Sequence, residues 1–154
     1  MSARGRVLLL SGPNLNLLGD REPEVYGTTT LDEHVAAARA AAEDLGFELD
    51  HVQSNHEGDL IGAVQGARGS AVAIIVNAGA LTHTSWSLHD ALVAFDGIVV
   101  ELHLSNPAAR EPYRHTSVVA PVQPGWRGGA RPRSRRRRRG RRAATTRCGS
   151  TPPR

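Results

Sequence analysis

What this chain can fold into is constrained most by an alternation. Strand-like runs at Val7 to Leu10, Phe47 to Gln53, Val72 to Val76 and Ile98 to Leu104 take turns with stretches that carry helix start and stop signals. Val7 to Leu10 and Val72 to Val76 are uninterrupted apolar runs, the pattern of a strand covered on both faces. Thr30-Leu31-Asp32-Glu33 has the Ser/Thr-x-x-Glu spacing in which side chains and backbone at a helix start satisfy each other. The alanine-rich stretch to Leu45 then meets Gly46, a residue that readily takes the left-handed turn closing a helix. Ser54-Asn55-His56-Glu57 repeats the start signal for a short helix ending near Gly66. Thr84-Ser85 can cap a helix to about Phe95, and Ser117 to Val122 is expected as a fifth strand.

Strands alternating with helices imply right-handed crossovers and parallel pairing. The expected fold class is therefore α/β, a flavodoxin-like doubly wound parallel sheet in three α/β/α layers. A chain of 154 residues suffices for one such domain. The formal charge of +4 hides a division: all 15 acidic residues lie at or before Glu111, with 7 of the 19 basic ones, whereas the other 12 lie from Arg127 onward. The body is thus −8 and the remainder +12, two segments answering to different physics. The expected organisation is a domain over residues 1–122 followed by an arginine-rich, disordered tail over 123–154. The chain has no lysine, which excludes a lysine Schiff base. Its one cysteine, Cys148, excludes an intrachain disulfide and fits a reducing, cytoplasmic location. Nothing reads as a signal peptide or as a span of roughly 18 to 20 apolar residues, so no membrane partner is expected.

Parallel sheets of this kind bind ligands beyond the carboxyl ends of their strands, and polar residues gather there: Gly12-Pro13-Asn14, Ser54-Asn55, Asn77-Ala78-Gly79 and His103 to Asn106. Neither the dinucleotide-binding nor the phosphate-loop glycine pattern is present. On the fourth strand a period of two puts Glu101, His103 and Ser105 on one face, and Val100, Leu102 and Leu104 on the other. A carboxylate beside an imidazole favours the protonated ring and orients it, which suits a general acid; the plain alternative is a structural ion pair. The polar loop from Gly19 to Thr29 is long enough for a lid, and it carries Arg21 and Tyr26. A tyrosine serves as a base only with a cation close by, and Arg21 is the nearest in sequence; otherwise Tyr26 merely packs. Asn77 to Ser85 combines an amide, hydroxyls and His83 at a helix start, where free backbone N–H groups can hold a carboxylate. Seven histidines occur without H-x-x-x-H spacing, so a metal site is not expected.

Taken in order, these segments closely resemble the type II 3-dehydroquinate dehydratases. The resemblance rests on five blocks: G-P-N-L-N-L-L-G at Gly12 to Gly19, R-E-P-x-x-Y-G at Arg21 to Gly27, Q-S-N-H-E-G at Gln53 to Gly58, N-A-G-A-L-T-H-T-S at Asn77 to Ser85, and E-L-H-L-S-N-P-A-A-R-E-P-Y-R-H at Glu101 to His115. It covers about Val7 to Val122. It implies a hydro-lyase that converts 3-dehydroquinate to 3-dehydroshikimate in the shikimate pathway of aromatic amino-acid biosynthesis, through an enolate and without cofactor or metal. It also implies a homo-oligomer, trimers assembled into a dodecamer. By resemblance Tyr26 is the base, activated by Arg21. His103 protonates the departing hydroxyl, Glu101 orients it, and Asn14 holds a water that steadies the enolate. Asn77, His83, Leu104, Ser105 and Arg114 match substrate-binding positions, and Asp90 matches one that a neighbouring subunit contributes.

The resemblance also implies a closing amphipathic helix after the fifth strand, and this sequence departs from it there. From Gln123 onward it reads P-G-W-R-G-G-A-R-P-R-S followed by five arginines, without helical apolar periodicity. An out-of-frame reading of a GC-rich gene yields such a composition, and sequencing around the codon for Gln123 tests that. The tail is expected to meet nucleic acid only non-specifically, through counterion release. Losing the closing helix is expected to uncover one face of the sheet. An inactive dehydroquinase-like domain whose basic tail binds nucleic acid is the alternative reading.

Overall fold

The computed structural model describes residues 4–20 and 23–122. Arg21 lies outside the described residues, as do Trp126, Cys148 and the whole of 123–154, so the expectations placed on Arg21 and on the tail fall there.

Strands β1 (Arg6–Ser11), β2 (Glu48–Gln53), β3 (Ala71–Asn77) and β4 (Ile98–Glu101) form one parallel sheet in the order β2-β1-β3-β4. The helices are α1 (Pro23–Tyr26), α2 (Leu31–Asp44), α3 (Glu57–Ala67) and α4 (Trp86–Val93). The chain steps from β1 to β2 in one direction, then across β1 to β3 and on to β4 in the other. Right-handed crossovers therefore put α2 on one face and α3 and α4 on the opposite one, the expected doubly wound, three-layer α/β/α arrangement.

The strand period of two decides which residues meet α3 and α4. Leu8 and Leu10 of β1, Ile74 and Val76 of β3 and Val99 of β4 join Leu60, Val64, Leu88 and Leu92 of those helices in one buried cluster. On the other face Leu9, Ile75 and Val100 lie side by side in register. Cover thins along that row. Leu9 is 8% exposed, Ile75 half-buried, Val100 48% exposed, and Ile98 beside it 52%. Helix α2 lies against β2, and among the described residues no helix covers the β4 side of this face.

The first helix start forms as read. Glu33 N–H donates to Thr30 Oγ1 at 3.3 Å, and Glu33 Oε2 accepts from Thr30 N–H at 2.8 Å. The second does not. Ser54 Oγ donates to Asp59 Oδ2 at 2.7 Å while accepting from His56 N–H, and α3 starts after His56 without a side-chain cap. The serine oxygen is taken by the N–H two residues on, and the Glu57 carboxylate, the other half of the motif, accepts from Ser85 Oγ instead. Strand β4 stops at Glu101 instead of Leu104: Leu102 N–H donates the last bond toward β3, at Val76 O (2.8 Å), and the chain then turns through Asn106, which caps Pro107–Ala109. The fifth strand is absent among the described residues. Ser117 Oγ accepts from the N–H groups of Val119 (3.1 Å) and Ala120 (2.8 Å), a local turn that takes donors a strand ladder needs.

Candidate active site

Because all four strands run parallel, their carboxyl ends open on one edge, and the loops that follow them meet there. Two close approaches make this possible. At Gly12 a Cβ atom would come within 2.4 Å of the Ala78 carbonyl oxygen, so only glycine lets the loop after β1 lie against the end of β3. Gly79, at φ 58°, turns the chain left-handed beneath Pro13. Between these loops lies a cleft of ≈ 100 Å³.

The cleft gathers most of the expected residues. Asn14, Tyr26, Asn77, His83, His103, Leu104, Ser105 and Arg114 all line it, with Pro13, Leu15 and Leu18 supplying apolar wall. Leu104 and Ser105 both face it, although strand alternation assigned them opposite faces, because β4 ends before them. Asp90 does not line the cleft; it lies on the exposed side of α4.

Asn14 sits in the left-handed region at φ 66°, tolerable for asparagine, and its N–H donates to Asn55 Oδ1 at 2.8 Å. Asn77 is buried; its Oδ1 accepts from Gly79 N–H at 3.3 Å. His103 Nε2 lies 3.0 Å from Glu101 Oε1, so the carboxylate holds one ring nitrogen and leaves Nδ1 for the cleft that the ring lines. Glu101 itself stands behind, without touching the cleft. His83 Nδ1 is 2.7 Å from the Thr116 carbonyl oxygen; a carbonyl only accepts, so Nδ1 carries the proton and Nε2 is the free nitrogen.

Tyr26 closes the opposite side. The segment read as an open polar loop makes one helical turn, α1, with Tyr26 at its end and half-buried. Arg110 Nη1 donates to the Tyr26 hydroxyl, and the same guanidinium lies 5.5 Å from the ring centroid. The cation seen beside the tyrosine is Arg110, 84 positions away, which no local spacing announces; the expectation placed on Arg21 lies outside the described residues. Arg110 is anchored in turn by its carbonyl, which accepts from His115 Nε2 at 3.0 Å. Arg114 Nε donates to Glu111 Oε2 at 2.7 Å. The Glu111 backbone N–H, and then Arg114, hold that carboxyl below the usual carboxylate value.

A second cleft, lined by Arg6, Arg39, Asp50 and His51, is larger at ≈ 390 Å³. Several of its polar groups are engaged already: Arg6 with Asp50 (3.3 Å) and with Glu48 outside the cleft (3.6 Å), and His51 with Ser11 (3.1 Å). Burial first, and Arg39 next, push the His51 ring below its ordinary value, which suits a neutral structural histidine. Of these two clefts the smaller combines a candidate base, a candidate acid and several hydrogen-bonding groups at the strand ends. Among the described residues no group of three or more His, Cys, Asp or Glu side chains is disposed to hold a metal ion, and no helix is long and apolar enough to cross a membrane.

Comparison with known proteins adds an independent line. A sequence model of the family described as Dehydroquinase class II matches residues 5–136. The chain is 58% identical over 118 residues to the 3-dehydroquinate dehydratase 1 of Corynebacterium efficiens, an alignment spanning 77% of this chain and 78% of that one. It is 54% identical over 111 residues to a catabolic 3-dehydroquinase of Aspergillus clavatus, spanning 72% and 74%. Its fold is similar to the crystal structure of a type II dehydroquinase from Propionibacterium acnes, with a TM-score of 0.76 at 36% identity over 80% of this chain and 85% of that one.

Proposed function

This chain belongs to the class II dehydroquinase family, and from that membership and its cleft we infer how it carries out the family's reaction. The reaction is the dehydration of 3-dehydroquinate, a step of the shikimate pathway. Loss of water from a β-hydroxy ketone needs a base at the carbon beside the carbonyl, an acid at the leaving oxygen and stabilisation of the enolate that forms between those events. The observation that carries the assignment is that Tyr26, His103 and Asn14, from three separate segments, line one cleft.

In this reading Tyr26, with the Arg110 guanidinium on its hydroxyl, takes the proton from carbon. Arg21 adds a second positive charge from the start of the same loop. Asn14 holds a water against the enolate oxygen. His103 then gives a proton to the departing hydroxyl, which leaves as water, while the enolate collapses to the conjugated enone. Glu101 orients His103 and balances its charge. Asn77, His83, Leu104, Ser105 and Arg114 bind the substrate's carboxylate and hydroxyls. Asp90 acts on a neighbouring subunit's cleft, which fits its exposed place on α4, in trimers that build a dodecamer. Residues 1–122 are the catalytic unit, working in the cytoplasm, and 123–154 a tail outside it that touches nucleic acid only non-specifically.

The test is the ultraviolet rise of the enone when purified chain, free of host dehydroquinase, meets 3-dehydroquinate. A signal lost by at least roughly 10²-fold in Tyr26→Phe is expected for removal of the base. Near-normal turnover in that variant would sink the assignment.

A further inference from the structure

The carboxylate of Glu101 is held by more than the histidine. Its Oε1 accepts from Thr82 Oγ1 and lies 3.0 Å from His103 Nε2. Ser117 Oγ sits 2.9 Å from both Oε1 and Oε2. The direction of the serine bond follows from its other partners. Ser117 Oγ already accepts from the N–H groups of Val119 and Ala120, so its single hydrogen is left for the carboxylate. Thr82 is fully buried, and neither hydroxyl lines the cleft, so neither can touch a substrate there.

Both hydroxyls are themselves fixed by the same strap of chain. The Thr82 carbonyl accepts from Val118 N–H at 2.8 Å, His83 Nδ1 donates to Thr116 O, and His89 Nδ1 donates to Val118 O at 2.6 Å. Val118 and Val119 are buried beneath it. A carboxylate gripped from two sides cannot rotate about its last bonds, and an imidazole bonded to such a carboxylate keeps one ring orientation.

We propose that Thr82 and Ser117 are positioning residues for the dehydration, acting through Glu101 to hold His103 at the angle from which it protonates the leaving hydroxyl. The proposal rests on the acid role given to His103 above. It makes the segment after His115, which carries no reacting group, a determinant of the acid step.

The experiment is steady-state kinetics of the full chain with 3-dehydroquinate, followed at the enone band, for Thr82→Val, Ser117→Ala and His103→Ala, with thermal melting of each. Removing either hydroxyl should lower kcat by about tenfold, part of the roughly 10²–10⁴-fold that a positioned acid contributes, with KM within about twofold. Thr82→Ser and Ser117→Thr, which keep a hydroxyl, should recover most of the rate. On a Glu101→Gln background the further loss from Ser117→Ala should shrink to about twofold or less, because both changes break one chain of contacts. Unchanged kcat in folded Thr82→Val and Ser117→Ala, alongside a crippled His103→Ala, overturns the positioning roles alone. Losses that add fully to Glu101→Gln overturn them too. Wild-type rates in His103→Ala, or a folded wild-type chain without turnover, overturn the acid assignment and this proposal together.

Discussion

Arg110 shows what a single residue can contribute without any mark in the local sequence. Its guanidinium both donates to the Tyr26 hydroxyl and lies against the ring, and a planar fork does this where a flexible ammonium does not. Arg110→Lys is therefore expected to fall well short of wild-type kcat, by roughly tenfold or more, and Arg110→Met further, with the enone assay as the measure. A lysine variant at full rate would show that charge near the tyrosine is enough. Glu101 and His103, in contrast, were legible as partners because residues two apart in extended chain share a face. Tyr26 and Arg110 meet only through the folded loops, and the same holds for the grip of Thr82 and Ser117 on Glu101. Sequence spacing reports neighbours within an element and is silent about loops that converge.

At the scale of elements, the strong local signals became structure and the weak ones did not. Helix α2 has its start marked by Thr30 and Glu33 and its end by Gly46, each an interaction within a few residues, and it forms as read. Thr30→Ala should cost about 1 kcal/mol of stability, measurable as an earlier urea midpoint with unchanged slope. No change would mean that the reciprocal cap is idle. The serine before α3 carried the same spacing, yet its oxygen took the His56 N–H and Glu57 turned to Ser85, a partner 28 positions away that the motif does not consider. The end of β4 was misplaced because apolar alternation continues through Leu104, whereas among the described residues the ladder to β3 ends with the bond from Leu102. What the alternation of strands and helices did convey was the architecture, since crossover handedness leaves few ways to stack them.

For the whole molecule, acidity should tell most through His51. Its ring is kept neutral in the fold by burial, then by Arg39, whereas in the unfolded chain it titrates near 6.5. The unfolded state thus binds the extra proton, so this contribution to stability is complete above about pH 6.5 and is lost as pH falls below it. His51→Gln should narrow the drop in melting temperature between about pH 7.5 and pH 5.5; an undiminished drop would place the acid sensitivity elsewhere.

The row formed by Leu9, Ile75 and Val100 has a practical side. A dye that fluoresces on apolar surface binds wherever such surface is open, whether or not the packing beneath it is intact. Since Val100 and Ile98 stay about half exposed in the folded chain, the dye will brighten on fully native protein. The common assay for a loosened, half-folded state would then score a sound preparation as a damaged one, and only near-ultraviolet dichroism or sharp side-chain resonances would tell the two apart.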